Sequence, residues 1–191
     1  MLQCLSSISS RYPGAITSKF LNPNNFKETG VILLKLYSKA NQCWRLVVLD
    51  DWLPTDENSN YYGVGPSGPL SNEFWASILE KAFAKYKFSF AKLDASTGFG
   101  INEIYDMILG PNQMICLNIP ENGDPDVMKK FLKYFKDGAV ISFSSRHNKN
   151  RNTTVNPSTG MVNYHGYGLV DVRENVCNTG LTLIKAHNVK I

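Results

Sequence analysis

GMVNYHGYGLVDVRENVCNTGLTLIKAHN, residues 160–188, is the stretch from which the fold of this chain is best predicted. Two runs rich in Val, Tyr, Leu and Ile, Val162–Val172 and Leu181–Ala186, flank the polar segment RENVCNTG. Runs of this kind, separated by Asn and Gly, predict a β-hairpin. Because antiparallel pairing sets the start of one strand beside the end of the next, the hairpin would bring His165 close to Asn188.

An imidazole beside a carboxamide has two interpretations. In a Cys-His-Asn protease site, the Asn orients the ring and the His takes the proton of the thiol. In the structural interpretation, a His on a strand is a hydrogen-bonded framework residue and an Asn after a strand forms a turn. The hairpin alone leaves both interpretations open.

The size and charge of the chain narrow the functional classes. Its 191 residues fit one domain or two small lobes, and an apolar fraction of 43% is enough for a core. The net charge of +4 comes from scattered basic residues, and the lysines of residues 129–136 lie at the spacing of the polar face of an amphipathic helix. We therefore expect no nucleic-acid partner. No stretch of 18 consecutive apolar residues occurs, so we also expect no membrane span.

Cysteine usage indicates the cellular compartment. Cysteines occur at positions 4, 43, 116 and 177, without a CxxC pair or a spacing typical of zinc sites. The N-terminal sequence MLQCLSSISS lacks the basic and apolar regions of a signal peptide. We therefore expect a reduced, cytoplasmic protein. Because the chain starts inside a predicted helix and stops three residues after Asn188, we expect it to be part of a longer polypeptide.

Hydrophobic periodicity and turn residues predict the remaining elements. Residues 4–10 form a serine-rich helix whose small side chains would allow close packing. Strands are predicted at Val31–Tyr37, Trp44–Leu49 and Ala139–Phe143, an extended run at Met114–Ile119, and helices at Phe74–Tyr86, at Ile101–Leu109 and from Pro125 to Gly138 with Asp124 as the N-cap. The pattern predicts an α+β protein with a helical lobe at 1–112 and an antiparallel, β-rich lobe at 113–191.

Several of these segments together resemble the catalytic core of the calpain-type cysteine proteases, a branch of the papain-like proteases. VVLDDWLP (Val47–Pro54) is similar to the family's VDD-x-LP strand end, and SNEFW followed by ILEKAFAKY (Ile78–Tyr86) is similar to its NEFW helix. Ser96–Phe99, GMVNYHGYGLVDV and LIKAHN continue the resemblance in order. The resemblance covers nearly the whole chain. It implies a papain-like two-lobe fold, with residues 1–112 and 113–191 as the first and second protease subdomains.

The resemblance also implies roles for individual residues. His165 falls on the family's general base and Asn188 on the residue that orients it. In the family the Asn is followed by Pro-Trp, and the Trp shields the His-Asn contact from water; here Val189 and Lys190 follow. We therefore expect Asn188 to orient the ring more weakly than its counterparts do.

Two alignments are open for the nucleophile. LSSISS (Leu5–Ser10) resembles the small-residue run LAALAS that follows the catalytic Cys of the family, and without a gap the nucleophile position falls on Leu2. Cys4 takes that role only if two helical residues are missing after it, which would rotate the packed face by about 200°. We slightly favour the ungapped alignment. Gln3 is too close to Cys4 to be the family's oxyanion-hole Gln.

Two functions follow from these alignments. In the first, the domain is catalytically impaired and serves as a structural or binding module, a pseudoprotease, inside a larger assembly. Some calpain-like domains occur in large multidomain proteins such as androglobin, and this resemblance implies the ciliary axoneme as a location. In the second, it is an active endopeptidase that uses Cys4, His165 and Asn188. The family implies calcium as a cofactor, although the fold itself requires none and no ligands are assigned. A protein or peptide is the expected partner in both cases.

Overall fold

A computed structural model describes residues 1–24, 26–61, 63, 65, 73–86, 89–94, 101–111, 113–119, 123–145, 155, 160–163 and 165–188. The helices are α1 (Leu2–Arg11), α2 (Pro13–Thr17), α3 (Phe26–Thr29), α4 (Trp75–Tyr86), α5 (Phe90–Asp94), α6 (Ile101–Leu109) and α7 (Pro125–Lys136), with one 3₁₀ turn at Val176–Asn178. The strands are β1 (Val31–Ser38), β2 (Cys43–Asp50), β3 (Ser142–Ser144), β4 (Gly166–Arg173) and β5 (Leu183–Asn188). None of the helices in the described ranges is long and apolar enough to cross a membrane.

The described residues divide into two compact units. One consists of Gly14–Asn112, and the other of Met1–Pro13 together with Gln113–Lys190. The mixture of helices with antiparallel sheets fits the predicted α+β class. The predicted helical lobe of residues 1–112 includes the N-terminal helix, whereas in the structure α1 packs against β4 in the unit that contains residues 113–190. This difference comes from tertiary packing, which periodicity alone does not encode.

The unit of residues 14–112 is built around the hairpin β1–β2. The two strands pair antiparallel from Val31 opposite Asp50 to Ser38 opposite Cys43. Pairing of Phe20 with Leu34 adds a short third strand at the other side of β1, with hydrogen bonds from Leu21 N to Leu33 O and from Lys35 N to Lys19 O. The core joins alternate residues of β1 to α4 and α6, and its fully buried members include Leu34, Leu36, Leu79, Phe83, Ile104 and Ile108.

The other unit is built around the sheet β3–β4–β5. Both neighbouring pairs are antiparallel, so the hairpin predicted from residues 160–188 is present as β4 and β5. Helix α7 begins as predicted: the Asp124 carboxylate accepts hydrogen bonds from the N–H groups of Asp126 and Val127, and Pro125 occupies the first turn. Met114–Ile119, predicted as an extended run, has no strand pairing with any described residue.

Some of the predicted features fall on positions outside the described residues. These are Ser71 and Asn72 of the SNEFW segment, residues 95–100 with Ser96–Phe99, and Val189 and Lys190 after the Asn.

Candidate active site

Helix α1 lies unusually close to β4 because both elements present small groups at their contact. A Cβ atom on Gly168 would lie 2.6 Å from the carbonyl oxygen of Gln3 and 3.0 Å from the hydroxyl of Ser7, and a Cβ on Gly166 would overlap the carboxamide of Gln3. The Ser7 hydroxyl donates to the carbonyl of Ile141 at 2.7 Å. The serine run and the two glycines therefore fix α1 on the sheet, as the small residues of 4–10 predicted.

Cys4 lies on the buried side of α1. Its exposed fraction is 0%, and its neighbours on that side are Leu5, Ser7 and Ile8, at the i, i+1, i+3, i+4 spacing of one helix face. A catalytic thiol must reach the carbonyl carbon of a bound peptide from solvent. The burial of Cys4 is that of a small core residue rather than of a nucleophile.

Leu2 occupies the position at which the ungapped alignment puts the nucleophile. It is the first residue of α1 and is half-buried. The first turn of a helix has N–H groups without helical partners and a partial positive charge, which would favour a thiolate at this position. A leucine has no group that could use this field.

His165 lies immediately before β4, and its backbone is anchored by Ser145. The N–H of Ser145 donates to the carbonyl of His165 at 2.9 Å, and the N–H of His165 donates to the Ser145 hydroxyl at 3.2 Å. The imidazole meets the ring of Tyr167 edge-on, with centroids 5.1 Å apart. Its Nε2 atom is buried and has no hydrogen-bond partner within the described part of the chain. The ring is therefore held by packing rather than by a hydrogen bond at this nitrogen.

Asn188 is the last residue of β5 and pairs with Tyr167, not with His165. His165 precedes Tyr167 by two positions, so it is a diagonal neighbour of Asn188, a relationship that in antiparallel sheets separates residues by about 7–8 Å. Asn188 is exposed, and among the described residues no hydrogen bond joins its carboxamide to the imidazole. The hairpin thus brings the two predicted residues to neighbouring strands without forming the orienting bond.

A second histidine, which the sequence analysis did not single out, contacts α1. The Nδ1 atom of His187 lies 2.5 Å from the hydroxyl of Ser6, and His187 pairs with Gly168 across the sheet. A Ser-His contact at this distance is also the geometry of a nucleophile and its base. Ser6, however, lies within α1, where its own N–H is used by the helix and cannot form an oxyanion hole. We interpret the contact as a hydrogen bond that holds α1 on the sheet. In the sequence, only the position of His187 next to Asn188 could have pointed to this residue.

The chain has three cysteines besides Cys4. Cys43, Cys116 and Cys177 are exposed, and Cys177 lies in the turn after β4, at the end of the strand opposite to His165. The eight residues of β4 therefore lie between these two positions. Across the described ranges, no three acidic, His or Cys side chains come together as they would around a metal ion. Calcium therefore stays a prediction from the resemblance, and no chemical step below depends on it.

Comparison with known proteins identifies the family. The sequence profile of the calpain family cysteine protease matches residues 2–189. The chain is 32% identical over 130 residues to Calpain clp-1 of Caenorhabditis elegans, which covers 68% of this chain and 16% of that protein. It is 30% identical over 147 residues to mouse Calpain-5, covering 72% of this chain and 22% of that protein.

A plant protein is similar over a longer part of the chain. The Calpain-type cysteine protease ADL1 of rice is 24% identical over 174 residues, which are 89% of this chain and 8% of that protein. The chain therefore spans less than a quarter of the length of each of these relatives. The predicted resemblance is confirmed: the chain belongs to the calpain family of cysteine proteases.

Proposed function

We propose that this chain is a catalytically impaired cysteine protease domain that serves as a protein-binding or structural module of a larger assembly. We further propose that its fold is papain-like, with the two compact units as its lobes. The observation that carries the proposal is the complete burial of Cys4, and the ungapped alignment, which puts the nucleophile position at Leu2, supports it.

The chemistry of peptide cleavage supports this interpretation. Cysteine proteases need a thiolate that is both accessible and activated by a neighbouring His. Cys4 lacks access, and Leu2 lacks a thiol. Loss of the nucleophile removes the covalent pathway altogether.

The imidazole also lacks the orientation that catalysis requires. In a triad, a third group holds the base in the correct tautomer and direction. Here the carboxamide of Asn188 is displaced by two positions along β5 and does not bond to His165 within the described residues. This arrangement supports a site whose geometry is no longer maintained for proton transfer.

One observation favours the alternative, an active calcium-dependent endopeptidase that uses Cys4, His165 and Asn188. The buried Nε2 of His165 has no hydrogen-bond partner among the described residues, although buried polar atoms almost always have one. Such a nitrogen would suit a catalytic base that acquires its partner on activation. In that case α1 would have to turn so that the Cys4 thiol faces solvent.

Labelling with a biotinylated peptidyl epoxysuccinate, which alkylates activated catalytic thiols, tests the proposal. We expect that mass spectrometry finds no label at Cys4 and that casein is not hydrolysed, whether or not 5 mM calcium is present. The matched variants are Cys4→Ser, which should behave as the unmodified protein does, and Leu2→Cys, which restores a thiol at the family position. Label at Cys4 together with hydrolysis that Cys4→Ser abolishes would overturn the proposal.

The binding partner and the cellular location of the domain are also matters of proposal. We propose that a protein or peptide is the ligand class, as for the proteases of the family, and that the chain acts inside a larger polypeptide or assembly in the cytoplasm. Its placement at the ciliary axoneme stays a prediction from the resemblance alone.

A further inference from the structure

One face of the β1–β2 hairpin is apolar yet exposed. Directly paired residues of an antiparallel sheet point to the same side, so Leu21, Leu33 and Val48 form one row and Lys19, Lys35 and Leu46 the next. The exposed fraction is 50% for Leu21, 43% for Val48 and 59% for Leu46. We call this surface the Leu46 face. Its apolar side chains belong to three adjacent strands, and an exposed contiguous apolar patch commonly marks an interaction site.

Two lysines on the Leu46 face have no acidic partner among the residues that the structure describes. Lys19 and Lys35 occupy opposite positions on paired strands, and their ammonium groups lie 4.2 Å and 5.7 Å from the centre of the Trp44 ring. Neither forms a salt bridge with any described residue. Like charges directly opposite each other destabilise a sheet. Partial burial and the charge of Lys35 both lower the pKa of Lys19, as expected for a cation without a counter-ion.

A groove continues the Leu46 face at the end where β1 begins. Its volume is about 470 Å³, and it is lined by Val31, Val48 and Phe90 together with the stems of Lys81 and Lys85. Val48 belongs to both surfaces, and Val31 lies two residues before Leu33 on the same side of β1. An apolar side chain of a bound segment could enter this groove while the rest of the segment lies across the face.

The outer edge of β2 is closed to a further strand at the same end. Lys85 donates to the carbonyl of Val48 at 2.6 Å, and Lys81 donates to the carbonyl of Asp50 at 3.0 Å. Since lysines at a sheet edge prevent strand addition, a partner would have to cover the face rather than extend the sheet. Helices are the elements that commonly cover a sheet face.

We propose that the Leu46 face binds an amphipathic helix of a partner protein whose apolar stripe is flanked by acidic residues. The apolar stripe would cover Leu21, Val48 and Leu46, and the carboxylates would pair with Lys19 and Lys35. Charge complementarity selects this partner, because Lys19 and Lys35 have no carboxylate partner in the described ranges and an acidic helix would supply two. The proposal does not depend on whether the domain cleaves peptides.

Fluorescence anisotropy with a designed peptide tests the proposal. The probe is a fluorescein-labelled helical peptide with a Leu/Phe stripe flanked by Glu, and the comparison peptides carry Lys in place of Glu or the same residues scrambled. Because charge reversal replaces two attractive charge pairs by two repulsive ones, we expect the double variant K19E/K35E to bind the Glu peptide at least about tenfold more weakly. The apolar variant L46S/V48S should lose a similar amount.

The matched control is K27E/K130E, which makes the same change in net charge at two exposed lysines that belong to neither row of the Leu46 face. We expect its Kd to stay within about twofold of the unmodified value, because separated surface charges are screened at physiological salt. Circular dichroism establishes that each variant is folded. Absence of binding by the unmodified protein at 1 mM peptide, or equal binding by K19E/K35E, would overturn the proposal. A dimer that L46S/V48S dissociates and the peptide does not would overturn it too, by assigning the face to a second copy.

Discussion

The carbonyl oxygen of Gln3 lies 2.6 Å from the point that a Cβ atom on Gly168 would occupy. Real side chains essentially never approach a backbone oxygen so closely, so α1 can lie at this height above β4 only because residue 168 is a glycine. The same contact explains the position of Ser7, whose small side chain reaches past the glycine to the carbonyl of Ile141. The position of α1 on the sheet is therefore determined by the lack of a side chain at residue 168.

Replacement of this glycine should destabilise the unit. We expect Gly168→Ala to lower the free energy of unfolding by about 1–3 kcal/mol, the usual cost of overpacking, since the obstructing atom belongs to the helix backbone. Gly166→Ala should cost less, because it meets only the end of the flexible Gln3 side chain. Urea unfolding followed by circular dichroism measures both.

Gly14→Ala provides the control for these two variants. A Cβ at position 14 meets nothing within 4 Å, and the residue lies in α2, where alanine is the better helix former. Its stability should therefore equal or slightly exceed that of the unmodified protein. A cost for Gly168→Ala no greater than that for Gly166→Ala would contradict the packing described here.

Removal of the Ser7 hydroxyl should weaken the same contact by a different route. The hydroxyl is fully buried and donates at 2.7 Å to the carbonyl of Ile141. Since a typical buried hydrogen bond contributes about 0.5–1.5 kcal/mol, Ser7→Ala should lower the free energy of unfolding by about 1 kcal/mol. The control is Ser9→Ala, a half-buried serine two residues further along α1. Equal effects of the two substitutions in urea unfolding would show that the bond to Ile141 is not stabilising.

The accessibility of the four thiols should divide them into two groups. Cys43, Cys116 and Cys177 are exposed, whereas Cys4 is completely buried. We expect three thiols to react rapidly with Ellman's reagent in the native protein and the fourth only on unfolding, because buried thiols are inert. Cys4→Ser should leave the rapid phase at three. A rapid phase of four equivalents would mean that α1 exposes its buried face in solution.

The parts of the fold that local sequence predicts are those in which neighbouring residues supply the signal. Helix α6 begins and ends where its apolar spacing indicates, at Ile101 and Leu109, and α7 begins at Pro125 after the Asp124 cap. The pairing of β4 with β5 follows from two apolar runs around a polar turn. In each case the residues that determine the element lie within the element or next to it.

The remaining features depend on contacts between distant residues. The short strand that pairs Phe20 with Leu34 lies outside every predicted element, and the extended run predicted at Met114–Ile119 has no strand pairing. At the site, the hairpin predicted the neighbourhood of His165 and Asn188 but not their offset. The offset depends on the register of β4 and β5, which is interrupted by an irregularity between Leu169 and Asp171. The burial of Cys4 likewise depends on which face of α1 meets the sheet.

Asp50 should make stability dependent on acid. Its carboxylate accepts a hydrogen bond from Lys81 at 2.5 Å and one from the N–H of Trp52 at 3.0 Å, and the Lys81 bond is the main cause that holds the pKa of Asp50 below its ordinary value of 3.8. A carboxyl whose pKa is lowered by folding stabilises the protein above its unfolded pKa, and this contribution is lost as the pH falls through the folded value. Asp50→Asn should therefore be less stable than the unmodified protein at pH 6, and this difference should shrink as the pH falls from about 4 to 2.5. The side chain of Asp50 is 62% exposed, so the difference at pH 6 should stay below about 1 kcal/mol.

Urea unfolding at both pH values measures this difference in stability. The control is Asp126→Asn, whose bond to Lys129 is long and exposed, and we expect it to have little effect at either pH. A difference for Asp50→Asn that is the same at pH 6 and pH 2.5 would show that the bond to Lys81 does not favour the ionised carboxylate.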